Sequence, residues 1–237
     1  MKKILSGNEA VARGVYEASV HFASAYPGTP STEILQNIST YKDVYAEWAP
    51  NEKVALETAI GASIVGGRSF AAMKHVGVNV AADPLFTFAY TGVTGGCVLV
   101  TADEPGMHSS QNEQDNRNYA KFAKIPMLEP SNSQESLDMI VDAYELSEKY
   151  DSLILFRMTT RVCHSKSLVE FGERKEVKLI PYEKNFGKYV AVPAIGRKLR
   201  IKLEERMNVL KEYSETSKWN YEVDNNSKIG VISSGIA

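Results

Sequence analysis

Cysteine is scarce here: two residues in 237, Cys97 and Cys163, with no Cys-x-x-Cys and no Cys/His spacing of a metal site. Neither zinc nor an iron–sulfur cluster is indicated. Cys97 lies in the apolar run Cys97-Val98-Leu99-Val100 and reads as a buried free thiol, while His164, beside Cys163, lacks further ligand partners and takes no metal role. Charge of one sign is also missing, with 27 basic against 29 acidic residues and a net charge of −2, which argues against a nucleic-acid or membrane-surface role. No signal peptide and no apolar run of ~20 residues is present, so the expectation is no membrane span and the cytoplasm as default compartment. A chain of this length buries roughly 70–75% of its extended surface and folds without staples.

What is present is alternation. Val11, Val15, Ala18 and Phe22 follow helical spacing behind Ser6, a helix cap. Strand-like runs lie at Phe22–Tyr26, Val44–Trp48, Ser69–Lys74, Cys97–Thr101, Pro126–Leu128 and Ser152–Met158. Helices are expected between them: one opened by Thr29 as N-cap with Pro30 next, one at Glu52, one at Asp83-Pro84, and one at Asn132-Ser-Gln-Glu135 running to about Tyr150. Strand–helix alternation predicts an α/β fold: a mostly parallel sheet with helices on both faces. Beyond Arg161 the texture changes. Lys175–Val192 reads as one or two strands with Gly187 in a turn, and Arg197–Ser217 as a charged, solvated helix. Trp219–Ser227 reads as a linker, and Lys228–Ala237 as the first strand and turn of another α/β domain, so the expectation is a chain cut from a longer protein.

In such a sheet, ligands bind beyond the carboxyl ends of the strands. Three loops should gather there: Tyr26-Pro27-Gly28-Thr29-Pro30, the Pro50-Asn51-Glu52 turn, and Lys74-His75-Val76-Gly77-Val78-Asn79. The polar stretch Asp103–Asn118, which carries His108, should fold over them. Gly28 and Gly77 permit close backbone approach, and Thr29 offers a hydroxyl at a helix start. From Glu52, Ala55, Ala59, Ala62 and Ser63 continue at helical spacing, an almost bare face open to a partner surface. A carboxyl in a dry, apolar setting is costly unless protonated or given a fixed partner. Read from spacing alone, Glu52 is also an acidic first-turn residue favoured by the helix dipole.

The segments YPGTPSTEI, NEKVALETAIGAS, MKHVGVN and ADEPGMHSSQNEQDNR resemble the amino-terminal region of indolepyruvate:ferredoxin oxidoreductase alpha subunits, within the thiamine-diphosphate-dependent 2-oxoacid oxidoreductases. The resemblance covers essentially the whole chain. It implies a pyrimidine-binding α/β domain over residues 1–165, an extension and linker over 166–227, and the start of the next domain over 228–237. It implies that Glu52 hydrogen-bonds the cofactor's aminopyrimidine and shares a proton with it, with Pro27, Gly28, Thr29, Val76, Gly77 and Asn79 around the cofactor. Thr29, His75 and His108 are implied to face the substrate, His108 as an acid/base or hydrogen-bond donor. The implied activity is oxidative decarboxylation of indolepyruvate, or another 2-oxoacid, with coenzyme A and ferredoxin.

The family's diphosphate-binding mark, Gly-Asp-Gly, does not occur in this chain. The diphosphate, its Mg²⁺ and the iron–sulfur clusters are therefore expected on other parts of the parent protein, and the chain alone is expected to be inactive. The implied partners are the parent's diphosphate-binding domain, a second (beta) subunit and a second parent copy. A reading of another class, a non-catalytic α/β interaction module with Glu52 as a mere helix-start residue, stands beside it.

Overall fold

The structure, a computed structural model, describes all of residues 1–237. Strand β1 (Lys2–Ser6) leads into α1 (Gly7–Glu17) through a reciprocal capping box. The Ser6 hydroxyl accepts from the Glu9 N–H at 3.2 Å, and the Glu9 carboxylate accepts from the Ser6 N–H at 2.7 Å. There follow β2 (Phe22–Ala25), α2 (Thr32–Ile38), β3 (Tyr45–Trp48), α3 (Glu52–Ile64), β4 (Ser69–Lys74), α4 (His75–Val80) and α5 (Ala82–Thr91). Then come β5 (Cys97–Asp103), α6 (Arg117–Ala123), β6 (Met127–Leu128), α7 (Ser133–Tyr150), β7 (Ile154–Thr159) and α8 (Thr160–His164). The chain closes with β8 (Lys166–Glu170), α9 (Phe186–Tyr189) and α10 (Pro193–Thr216).

Six strands form one parallel sheet in the order β3-β2-β4-β5-β7-β6. Strand period two deals its residues alternately to two cores. Phe70, Val98, Val100 and Phe156 pack with Val11, Val15, Ile34, Leu35 and Tyr144 on one face. Ala71, Met73, Leu99 and Leu155 pack with Leu56, Ala59, Leu85 and Phe88 on the other. Burial on both faces explains why these strands read as continuous apolar runs. Each fully buried large side chain contributes about 1.5–3 kcal/mol.

From β2 the chain steps outward to the edge strand β3, then returns to β4 on the other side of β2. The loops after β2 and β4 therefore leave side by side toward opposite faces. This is the switch point where such sheets open a crevice.

Several expectations change. Ser31, not Thr29, is the N-cap position of α2, because Thr29 lies in the preceding turn. The small-residue face of α3 is not an open surface: Ala55, Leu56, Ala59 and Ser63 are buried within this chain, and the Ser63 hydroxyl donates to Gly95 O at 2.5 Å. Small side chains there let the helix sit low on its own sheet. Lys175–Val192 holds no strand. It runs as exposed coil into α9, which includes Gly187. Lys228–Ala237 pairs with no strand either, and Ile229, Val231 and Ile232 are exposed. Unforeseen elements are α4, α6, α8 and an antiparallel β1–β8 ladder running from Lys2 opposite Glu170 to Ser6 opposite Lys166. No helix is long and apolar enough to cross a membrane.

Candidate functional site

At the carboxyl edge, β3 ends in Trp48 and the chain turns through Asn51, whose Oδ1 accepts from the Val54 N–H at 3.0 Å. That cap fixes Glu52 as the first residue of α3, half-buried, where the helix dipole favours an anion. Its carboxylate carries no hydrogen bond or ion pair from within the chain. Gly77 of α4 closes on it: a methyl group there would stand 2.7 Å from Glu52 Cγ and 2.8 Å from Oε1. Only the absence of a side chain lets α4 approach so near. The expected dry pocket is thus half-made, with backbone on one side and an open side beyond.

The loop after β2 is tied by short hydrogen bonds. The Gly28 N–H donates to Thr32 Oγ1 at 2.9 Å, and the Ser31 N–H and hydroxyl both donate to Gly28 O at 2.9 Å. Asn8 Nδ2 donates to Pro30 O at 2.8 Å from beneath. Pro27 and Thr29 are exposed at the loop's outer side. Gly28 rests on the stem of Lys74, for a methyl group there would stand 2.9 Å from Lys74 Cδ. The loops after β2, β3 and β4 therefore converge, through Gly28 on Lys74 and Gly77 on Glu52.

The third wall is the loop from Glu104 to Asn116. Its roots are held by Asp103, wholly buried at the end of β5. The Asp103 carboxylate accepts from Arg157 Nε at 2.7 Å and from the Asn116 N–H at 2.9 Å, and Arg157 also pairs with Glu129. Burial keeps the Asp103 carboxyl above the usual range although the Asn116 N–H and Arg157 pull it down. Asn116 Nδ2 and Gln114 Nε2 donate to His75 O at 3.1 and 3.0 Å. Glu104 Oε1 accepts from the Ser109 N–H and hydroxyl at 3.0 and 3.1 Å. Burial pushes the Glu104 carboxyl up, but Ser110 beside it, the bonds from Ser109 and the Lys74 charge outweigh it and hold it low.

The site residues expected from sequence thus separate. Glu52, Gly77, Gly28 and Thr29 lie around one crevice, with Val76 on the turn that carries Gly77. Asn79 faces the loop, exchanging hydrogen bonds with Gln114 at 2.9 and 3.0 Å and accepting from the Tyr119 hydroxyl at 2.6 Å. His75, expected to face the substrate, is fully enclosed instead. Its Nε2 lies 3.0 Å from Asn112 O and its Nδ1 is buried without a partner, because the loop roots close over it. His108 is exposed on the outer limb of the loop. Sequence reading did not single out Asp103, Arg157, Asn116 or Lys74. A charge at the end of a strand reads as solvated, and the Arg157–Asp103 pair spans residues far apart in the chain.

Two concavities of about 400 and 200 Å³ lie elsewhere, lined by Ser19, His21, Asp43 and Arg174 and by Asp151, Lys188 and Arg206. Both sit at the amino edge of the sheet, away from Glu52.

A doubly wound parallel sheet with an unpaired carboxylate beside its switch point is the architecture of a ligand-binding α/β domain. The family model described as "Pyruvate flavodoxin/ferredoxin oxidoreductase, thiamine diP-bdg" matches residues 13–229. The chain belongs to that family. It is 46% identical to the indolepyruvate oxidoreductase subunit IorA of Archaeoglobus fulgidus, over 100% of this chain and 39% of that protein. It is 49% identical to IorA of Methanothermobacter marburgensis, over 98% of this chain and 38% of that protein. The ketoisovalerate oxidoreductase subunit VorB of the same organism is 27% identical over 73% of this chain and 51% of that protein. The fold matches a 2-oxoglutarate:ferredoxin oxidoreductase from Magnetococcus marinus, solved with 2-oxoglutarate, coenzyme A and succinyl-CoA bound, at TM-score 0.72 and 18% identity over 90% of this chain and 45% of that one. The chain thus spans about two fifths of the length of these IorA relatives and about half of that of VorB.

Proposed function

We propose that this chain is the aminopyrimidine-binding part of a thiamine-diphosphate-dependent oxidoreductase acting on indolepyruvate and related aryl 2-oxoacids, with coenzyme A as acyl acceptor and ferredoxin as electron acceptor. The observation that carries the reading is Glu52: a carboxylate with no partner inside the chain, fixed at a helix start and closed on by Gly77. These residues fit the cofactor's ring, because a flat heterocycle with ring nitrogens needs one acid able to hold a proton and a wall without side chains. Thiamine diphosphate, when bound, supplies the carbon that attacks the 2-oxo group and accommodates the charge left as carbon dioxide departs.

The chain's own part is positional and acid–base. Glu52 holds or releases a proton at a ring nitrogen, a contribution typically worth ~10²–10⁴ in rate. Covering the open side of the crevice removes water from the carboxyl and leaves the bound ring as its partner. Gly28 and Gly77 keep the walls close, and the exposed Thr29 hydroxyl serves the substrate's oxo or carboxylate oxygens. His108 reaches the substrate only if the Glu104–Asn116 loop folds inward, while the enclosed His75 supports that loop. The names of the 46–49% identical relatives favour indolepyruvate, and the 27% match favours branched-chain acids less.

The diphosphate's Mg²⁺, the iron–sulfur clusters, the second subunit and the second parent copy lie beyond residues 1–237 in this proposal. The test is a substrate panel on the assembled parent enzyme with thiamine diphosphate, Mg²⁺, coenzyme A and ferredoxin. Indolepyruvate should exceed pyruvate and branched-chain acids in kcat/KM by roughly tenfold or more, the scale of discrimination a shaped pocket provides. Preference for pyruvate would overturn the substrate assignment. The present chain alone should not turn over, and turnover would overturn the division of parts.

A further inference from the structure

Lys74 carries a charge that the fold leaves unspent. It ends β4 at the switch point, half-buried, with Gly28 pressed on its stem and Thr29 one residue further on. No carboxylate lies within 4.0 Å of its ammonium. The neighbouring cations are committed: Arg157 to Asp103 and Glu129, Arg117 to Asp115, and Lys53 to Asp83. Glu104 feels the Lys74 charge. Its Oε1 is occupied by Ser109, and its carboxylate stays beyond 4.0 Å of the ammonium. A half-buried ammonium held by its stem with no carboxylate in contact is a receptor for an anion.

We infer that Lys74 is a substrate-binding residue that receives the carboxylate of the 2-oxoacid, and so sets the requirement for an acid rather than a neutral carbonyl compound. This rests on the function proposed above. The placement fits the chemistry. The carboxylate adjoins the oxo carbon under attack, and Lys74 stands between the Gly28–Thr29 turn on one side and the Gly77–Glu52 contact on the other. A point charge on a flexible stem, rather than a bidentate arginine fork, holds this carboxylate without clamping it. That matters because a group about to leave as neutral carbon dioxide is retarded by any cation that grips its charge too strongly. Lys74 therefore acts on binding more than on the chemical step.

The test is titration of indole-3-propionate, an unreactive acid, and of indole-3-propionamide, its neutral counterpart, into the assembled enzyme. The native enzyme should bind the acid at least about tenfold more tightly than the amide, and equal affinities would overturn the inference without any variant. Lys74→Met should weaken the acid roughly 10- to 100-fold, the range for losing one charged hydrogen bond, and leave the amide unchanged. It should raise KM for indolepyruvate more than it lowers kcat. Lys74→Arg should recover part of the acid's affinity. Unchanged acid binding in a folded Lys74→Met enzyme would overturn the inference and leave the proposed function standing. Native turnover in Glu52→Gln would remove that function instead, whatever Lys74 does.

Discussion

The two edges of the sheet treat charge in opposite ways. At the amino edge, the basic side chains are met inside the chain. Arg68 holds Glu148 through Nε and Nη2 at 2.7 Å each and donates to Ala18 O at 2.8 Å. Lys188 pairs with Asp151 at 2.8 Å, Arg206 donates to Ala89 O at 2.9 Å, and Arg174 donates to Tyr16 O at 2.7 Å. At the carboxyl edge, Glu52 and Lys74 have no such partners, and His75 Nδ1 and Glu104 Oε2 are buried without any. The smaller concavity at the amino edge is lined by mutually paired ions, Asp151 with Lys188 and Arg206, whereas Glu52 and Lys74 at the carboxyl edge meet no counter-ion within 4.0 Å. Unpaired charge, rather than these concavities, marks the crevice proposed as the site. Not every charge at the carboxyl edge is free: Arg157 pairs with both Asp103 and Glu129 and holds the loop in place, and Lys53 pairs with Asp83 and Arg117 with Asp115.

Removing charges sharpens this contrast. Arg157→Met leaves Asp103 buried and unpaired, and should cost about 3–5 kcal/mol in urea unfolding. It should also raise hydrogen exchange at the Asn116 amide, which donates to Asp103 at 2.9 Å. Arg68→Met at the amino edge, with its side chain 11% exposed, should cost less, about 1.5–3 kcal/mol, and leave exchange in the Glu104–Asn116 loop unchanged. An equal response of that loop to both variants would erase the distinction.

Acid should separate the edges more gently. Burial, with Arg174 and Arg68, holds His21 below its ordinary 6.5 against the pull of the Val177 carbonyl. The unfolded chain then takes the proton first, so stability falls as pH drops below 6.5 and levels off beneath the lowered value. Glu104, held below its ordinary 4.5, contributes stability that is full above 4.5 and lost as pH falls through its lowered value. The Arg68 amide, which donates to His21 Nδ1 at 3.1 Å, should lose exchange protection at a higher pH than the Ser109 amide on Glu104. The reverse order would contradict the assignment.

Much of the sheet was legible because both-face burial writes itself as apolar runs, and because Ser6 and Asn132 are caps that serve as their side chains suggest. The β1–β8 ladder was not: Lys2-Lys3 at its start reads as polar, and its partner lies at the far end of the domain. Helix α4 hides behind Val76, Gly77 and Val78, two branched residues and a glycine that favour strand or turn. In the site, Gly28 and Gly77 sit where the chain approaches itself closely, and a missing side chain is visible in sequence. Which ions are paired is not visible, as it depends on contacts between distant segments. That is why His75 was noticed without its enclosure and Lys74 was passed over.

The central claim is that Glu52 is left unpaired in order to exchange a proton with a bound ring. The direct measurement is kcat of the assembled enzyme carrying Glu52→Gln, alongside its melting temperature. A half-buried carboxylate without partners should be replaceable at little cost to stability, within about 0.5 kcal/mol, while kcat falls ~10²–10⁴-fold. Turnover at the native rate in that folded variant would contradict the account.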